Sequence, residues 1–269
     1  MKVVICEGKD IIKRTENALK ELSPSLPKVN SKILIKPNLV EPMKKDSGAV
    51  TRPELLEGII KFLDDNKYKI LIGESSAGYY TDKCFEKAGY RYLTENYNVE
   101  LINFDDFEFV TIKLNGELWK NIEVTKFILK TDYLISAVPL KEHAFEVTLT
   151  LKNMMGILKP KGSYPNKSFM HKEDSYEIWT QRMCDILKKI KPNLGVIDGT
   201  TGMYGSHLYG KLKEFDITIV GEDPVAVDCV GAKILGYDKV FYIDKAIQMK
   251  IGNKPTLVKK IKVGVNRYD

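Results

Sequence analysis

The chain is short of histidine, with three in 269 residues, and has only four cysteines, Cys6, Cys84, Cys184 and Cys229, all far apart. With no Cys-x-x-Cys pair, no zinc or iron–sulfur ligand set is written locally, and no intrinsic iron–sulfur cluster is expected. Scattered cysteines also fit a reduced compartment, so a cytoplasmic protein is expected. Nowhere do apolar residues run for the roughly 18 positions a membrane span requires. The opening Met1-Lys2-Val3-Val4-Ile5-Cys6-Glu7 is too short an apolar run for a signal peptide. No membrane partner is expected. Charge of one sign is not in great excess: 42 basic against 36 acidic side chains leave +6. That is far from the basic density of a nucleic-acid binder, and no nucleic-acid partner is expected. Apolar residues make up 43% of the chain, too many for a disordered one, and the length suits one large or two modest domains.

Short apolar runs at Val3–Ile5, Ile33–Ile35, Ile70–Ile72, Val99–Phe104, Tyr133–Val138, Leu194–Ile197 and Ile217–Val220 predict strands, the fifth ended by Pro139. Helical stripes lie between them: Asp10 to Leu22, a helix opening at Pro53, Ser175 to Lys189, and Pro224 to Leu235 closed by Gly236. Residues 105–131 show no clear pattern. Continuous apolar strands alternating with helices predict an α/β fold of mostly parallel sheets covered by helices. Two closely packed lobes with a cleft between them are expected, an amino-terminal one over 1–130 and a carboxyl-terminal one over 131–269, the alternative being one continuous domain.

Between Glu146 and Glu173 the chain has no acid at all, yet it carries Lys152, Lys159, Lys161, Lys167, His171 and Lys172, with His143 just ahead. Such a stretch either attracts a carboxylate or phosphate, with imidazoles at hand to move protons, or is a solvated basic face. Thr51-Arg52-Pro53 stands where a long loop meets a helix start, and an arginine there can grip a carboxylate with two parallel hydrogen bonds. Gly73-Glu74-Ser75-Ser76-Ala77-Gly78 follows a strand, where open α/β sheets place ligands, and reads equally as a tight connection. Asp198-Gly199-Thr200-Thr201-Gly202 also follows a strand and reads as a glycine-rich loop, letting backbone approach a ligand or making a sharp crossing. Asp223 is the expected N-cap before Pro224; Asp228, one turn on, is either a counter-ion to the cationic stretch or a cap on a neighbouring strand.

Taken in order, several of these stretches resemble the family known as domain of unknown function 362: Ile35-Lys36-Pro37-Asn38, Thr51-Arg52-Pro53, Gly73-Glu74-Ser75, Leu151-Lys152-Asn153 with Gly156, Ile197-Asp198-Gly199, and Gly221-Glu222-Asp223-Pro224-Val225-Ala226-Val227-Asp228. Many members of that family add a ferredoxin-like segment with clustered cysteines, which this chain lacks. Arg52, His143, Lys152 and His171 are also similar in order and spacing to residues of the lactate racemases. That resemblance implies a carboxylate-holding role for Arg52 and an acid/base role for His143. It further implies that Lys152 anchors a nickel-pincer nucleotide and that His171 ligates the nickel. The chain departs from the racemases at Gly73-Glu74-Ser75-Ser76, where they have a second catalytic histidine, and at Thr150-Leu151, where they have a glycine pair.

The reading that follows is an enzyme acting on a small anionic substrate in the cleft. His143, Lys152 and His171 are its candidate catalytic groups, and His171 is its candidate metal ligand. Arg52, Asn38, Ser75, Ser76 and Asn153 are the candidate substrate contacts, with Asp198, Gly199 and Asp228 as further candidates. A nickel-pincer-like nucleotide or a divalent metal is the cofactor considered. The alternative is a non-catalytic module that binds an anion or cofactor or docks on a redox partner.

Overall fold

The computed structural model describes residues 1–144, 146–162, 167–171 and 175–263, apart from the side chains of Tyr79 and His171. In chain order its elements are β1 (Lys2–Glu7), α1 (Ile11–Leu22), β2 (Lys32–Lys36), α2 (Pro53–Leu63), β3 (Lys69–Glu74), α3 (Thr81–Ala88), α4 (Arg91–Asn96) and β4 (Val99–Asn103). Then come β5 (Phe109–Lys113), β6 (Asn121–Thr125), β7 (Tyr133–His143), β8 (Glu146–Thr148), α5 (Tyr176–Leu187), β9 (Leu194–Tyr204), β10 (Lys211–Gly221), α6 (Pro224–Leu235), α7 (Phe241–Gln248) and β11 (Leu257–Lys262).

One mixed sheet in the order β11-β1-β10-β9-β7-β2-β3-β4 forms the centre, with β8 folded back on β7. The run β9-β7-β2-β3-β4 is parallel throughout, while β10 is antiparallel to both its neighbours. Because β1 lies between β10 and β11, the sheet is continuous across residue 130. Alternation along each strand sends side chains to two cores. In β1, Val4 and Cys6 join the core beneath α1–α4, while Val3 and Ile5 join the one beneath α5–α7. The expected α/β class, mostly parallel and covered by helices, is what the chain adopts. No helix of the described residues is long and apolar enough to cross a membrane.

Local signals explain most helix ends. The Asp10 side chain accepts from Lys13 N at 3.0 Å to start α1, and Asp223 from Val225 N at 3.1 Å to start α6, where Pro224 occupies the first turn. Gly236 closes α6 in the left-handed region at φ 100°.

Two expectations need correcting. Pro139 does not end its strand: β7 runs on to His143, because the pairing with β9 shifts register between Pro139 and Leu140. A proline is tolerated inside a strand at such a bulge, where no ladder donor is required of it. Nor is the glycine-rich stretch after Ile197 a loop, since Asp198 to Tyr204 is the second half of β9. Gly199 is needed there because a Cβ would lie 2.6 Å from Ile217 Cγ1 on β10.

Residues 105–131 hold the two-stranded hairpin of β5 and β6. It is fastened by one buried carboxylate. Asp185 on α5 accepts from Glu117 N at 3.0 Å, from Leu118 N and Trp119 N at 2.9 Å each, and from Gln181 Nε2 at 3.0 Å. Asp185→Ala strands these donors in the interior, so a loss of about 2–4 kcal/mol in unfolding free energy is expected. A urea titration of the variant checks this; a midpoint within error of the parent would show that the hairpin is held by its apolar contacts instead.

Candidate functional site

Parallel strands that end side by side leave a crevice at their carboxyl ends. Lys36, Glu74 and His143 are the last residues of the adjacent strands β2, β3 and β7. Together with Lys152, Asn153 and His207 they line a cavity of about 200 Å³.

Its floor is an ion pair. Lys36 Nζ donates to Glu74 Oε1 at 2.7 Å, to Pro37 O at 3.0 Å and to Asn153 Oδ1 at 3.1 Å, and both charged side chains are buried. Glu74 is fully used, accepting also from Ser75 N and Leu39 N. Asn153 joins three elements: its Oδ1 accepts from Asn38 Nδ2 at 3.1 Å, and its Nδ2 donates to Lys36 O and Ser136 Oγ at 3.0 Å each. Gly156 follows from this, because a Cβ there would fall 2.5 Å from both Lys36 Nζ and Glu74 Oε1. Asn38 sits at the base of the long loop after β2, which is closed by Asn38 N donating to Thr51 Oγ1 and Thr51 N to Asn38 O.

Lys152 opens the short 3-10 helix Lys152–Ile157. Asp228 on α6 sets that turn, accepting from Thr150 N at 2.9 Å, Leu151 N at 3.0 Å and the Thr150 hydroxyl. It is therefore the cap, not the counter-ion. Burial still pushes its carboxyl up to about 7. Lys152 Nζ stands 6.0 Å from the Trp179 ring centroid. Burial alone brings its ammonium down to about 7.

Lys141, two residues before the end of β7, is buried and donates to Ala49 O at 2.6 Å and to the backbone carbonyl of His207 at 3.2 Å. Burial first, and then the charge of Lys152, bring it to about 7 as well. His207, in the turn between β9 and β10, lies with its ring 4.4 Å from that of His143. Burial, followed by the charges of Lys141 and Lys152, pushes His207 down to about 4, so it is a neutral imidazole at physiological pH. Lys167 closes the other side by donating to Ser75 O at 2.7 Å, Ser75 Oγ at 2.6 Å and Ser76 O at 3.3 Å, and burial brings it to about 8.

Of the residues singled out in the sequence, His143, Lys152, Asn38, Ser75, Ser76 and Asn153 all line this cavity. Arg52, Asp198, Gly199 and Asp228 do not. Arg52 Nη1 donates to Asp198 Oδ2 at 3.1 Å, and Asp198 also takes Arg14 Nη2 at 3.0 Å and Thr200 N at 2.9 Å. The fork assigned to a substrate thus holds an internal carboxylate and struts α2 against β9. The side chain of His171 and all of Lys172 lie outside the described residues. Lys36, Glu74, Lys141 and His207 are the groups the sequence reasoning missed. A lysine closing an apolar run, as in Ile33-Leu34-Ile35-Lys36, was the available signal for the first.

The family model for a domain of unknown function (DUF362) matches residues 33–233. The chain belongs to the DUF362 family. It is 24% identical over 233 residues to the thylakoid-associated protein sll1697 of Synechocystis sp., a match covering 85% of this chain and 70% of that protein. Its fold is similar to that of the lactate racemase apoprotein from Thermoanaerobacterium thermosaccharolyticum, with TM-score 0.51 and 14% identity over 86% of this chain. The match spans only 56% of the racemase chain, and at that identity the likeness establishes the fold alone.

The racemase resemblance implies a nickel-pincer nucleotide, and the residues here can be tested against it. Lys152 stands in the cavity as an anchor would. Yet no group of three or more His, Cys, Asp or Glu side chains that could hold a metal ion occurs among the described residues. A cavity of about 200 Å³ is also smaller than the roughly 300–1,000 Å³ of sites for cofactor-sized ligands. The described residues do not fit the nucleotide, and no step below runs through it.

Lys141 and Lys152 release protons near pH 7 when folded and near 10.5 when unfolded. Between those values the unfolded chain holds more protons, so unfolding free energy rises with pH. The destabilisation is fully present below pH 7 and vanishes above about 10.5. Urea midpoints measured at pH 7 and at about 9.5 are expected to increase, and Lys152→Met to show a smaller increase. A flat or falling profile would mean that neither ammonium is desolvated.

Proposed function

We propose that the cavity is the active site of an enzyme acting on a small anion, a carboxylate or phosphate, by racemase- or isomerase-like proton transfer. The observation that carries this is charge. Three lysines line the cavity, Lys36, Lys152 and Lys167, against one glutamate that is already paired, and Lys141 lies close behind. An anion is attracted to such a site over a distance. Lys152, titrating near neutrality, is suited to take up or give a proton, as bases tuned to the working pH do. His143 and the neutral His207, in ring contact, are the proposed proton-exchanging pair. His171 is carried as a second acid/base group or a metal ligand, the latter being what the racemase resemblance implies.

The two lobes, 1–130 and 131–269, are proposed as the halves that meet at this site. Lys36, Asn38 and Glu74–Ser76 come from the first, and His143, Lys152 and His207 from the second. The cytoplasm is the proposed setting, supported by four cysteines that are all free thiols.

A second reading is favoured by Glu74. Fixed by Lys36 and two backbone amides, it cannot replace the catalytic histidine that the racemases have nearby. With one base short, the site would be a non-catalytic anion-binding module, or the docking point of a redox partner.

Calorimetric titration with acetate, glyoxylate and inorganic phosphate at two salt concentrations tests the site. Lys152→Met is expected to reduce affinity by about tenfold or more, the equivalent of a lost charged hydrogen bond. Lys161→Met, whose side chain is half exposed beside Glu123, is expected to leave affinity nearly unchanged. Equal, salt-sensitive losses in the two variants would reduce the cavity to part of a solvated basic face.

A further inference from the structure

Four lysines lie in or against the cavity, and they differ in what receives their protons. An ammonium has three N–H donors. Lys36 places its three on Glu74, Asn153 and Pro37 O, and Lys167 donates to Ser75 O, Ser75 Oγ and Ser76 O. Lys141 has two backbone carbonyls. Lys152 has only the face of Trp179, and no acceptor among the described residues. A buried ammonium without acceptors loses its hydration and regains nothing comparable, whereas a neutral amine in the same place loses little. None of the charged groups around it offsets this: Lys36, Lys141 and Lys167 are themselves lysines. Glu74 is spent on Lys36, Asp228 faces the backbone of Thr150 and Leu151, and His207 is neutral. Burial without an acceptor thus leaves Lys152, among the described residues that line the cavity, as the amine whose lone pair is most available.

Two more groups in the same cavity lack partners among the described residues. Asn38 Oδ1 and Thr148 Oγ1 are buried and have no hydrogen-bond partner among the described residues, and both residues line the space that Lys152 enters. One accepts and the other can donate, which is what an oxygen-bearing adduct on Lys152 would need from its walls. The space is small and cationic, so a ligand's electrophile and its anion must be close together.

We infer that Lys152 is a Schiff-base lysine and that the site takes a small 2-oxo acid, a carbonyl directly beside a carboxylate. This rests on the anion-site reading and names the substrate class for it. The Lys152 lone pair forms a C–N bond to the carbonyl carbon as the C=O π bond breaks. The two protons shed by the nitrogen leave with the carbonyl oxygen as water, and a C=N bond remains. The bond from Lys141 to the His207 carbonyl fixes the turn that borders this space.

The test is reductive trapping of the intact chain with glyoxylate, the smallest 2-oxo acid, and cyanoborohydride, read by whole-protein mass and by peptide mapping. One saturable adduct, mapped to Lys152, is expected in the unmodified protein. Lys152→Met is expected to lose it while Lys161→Met keeps it. No adduct, adducts spread over exposed lysines, or a covalent group already resident on Lys152 would overturn the inference. If glyoxylate binds calorimetrically without being trapped, the Schiff base fails and the anion site stands; if neither occurs, both fail.

Discussion

Lys36 and Glu74 end two neighbouring parallel strands, and their buried ion pair is the constraint around which the site is arranged. Two charges removed from water repay their desolvation only with good geometry and a full set of further hydrogen bonds. Here Asn153, Pro37 O, Ser75 N and Leu39 N complete the set. Removing either charge would leave the other stranded, so β2, β3, the loop after β2 and the turn at Lys152–Ile157 are obliged to keep one mutual arrangement. Asp228 fixes the other end of that turn from α6. Lys152 is thereby held between two buried carboxylates, neither of which is its own partner.

That separation gives the cavity its electrostatic character. The nearby acids are occupied by backbone amides or by another lysine, leaving a surplus of cationic groups in a small space. In such a space like charges lower one another's proton affinity, which burial alone has already reduced. Burial lowers Lys152, and the charge of Lys152 in turn helps to lower Lys141 and His207.

The α/β alternation, most strand centres and helix ends could be read from the sequence because they depend on local periodicity and caps: Asp10, Pro53, Pro224 and Gly236 each act where they stand. The site was legible in part. Its cationic stretch drew attention to Lys152 and His143, but the groups that tune them come from distant parts of the chain. Lys141 sits beyond a proline that reads as a strand end and is a strand interior only because β9 bulges opposite it. His207 arrives on the turn of a long hairpin whose first strand reads as a glycine-rich loop. Arg52 carries the right chemistry for an anion clamp, and only the partner strand shows that Asp198 already holds it. Non-local pairing decides all three, and no window of sequence contains it.

The glycine at position 156 bears on how this chain can vary. It is half-buried, a place where side chains are ordinarily exchanged freely. Any β-carbon added there would intrude on a lysine and a glutamate that have no room to give way. Tolerance to substitution around the cavity is therefore set by distance from the buried ion pair and not by exposure to solvent. A survey of variants ranked by accessibility would misplace this position among the permissive ones.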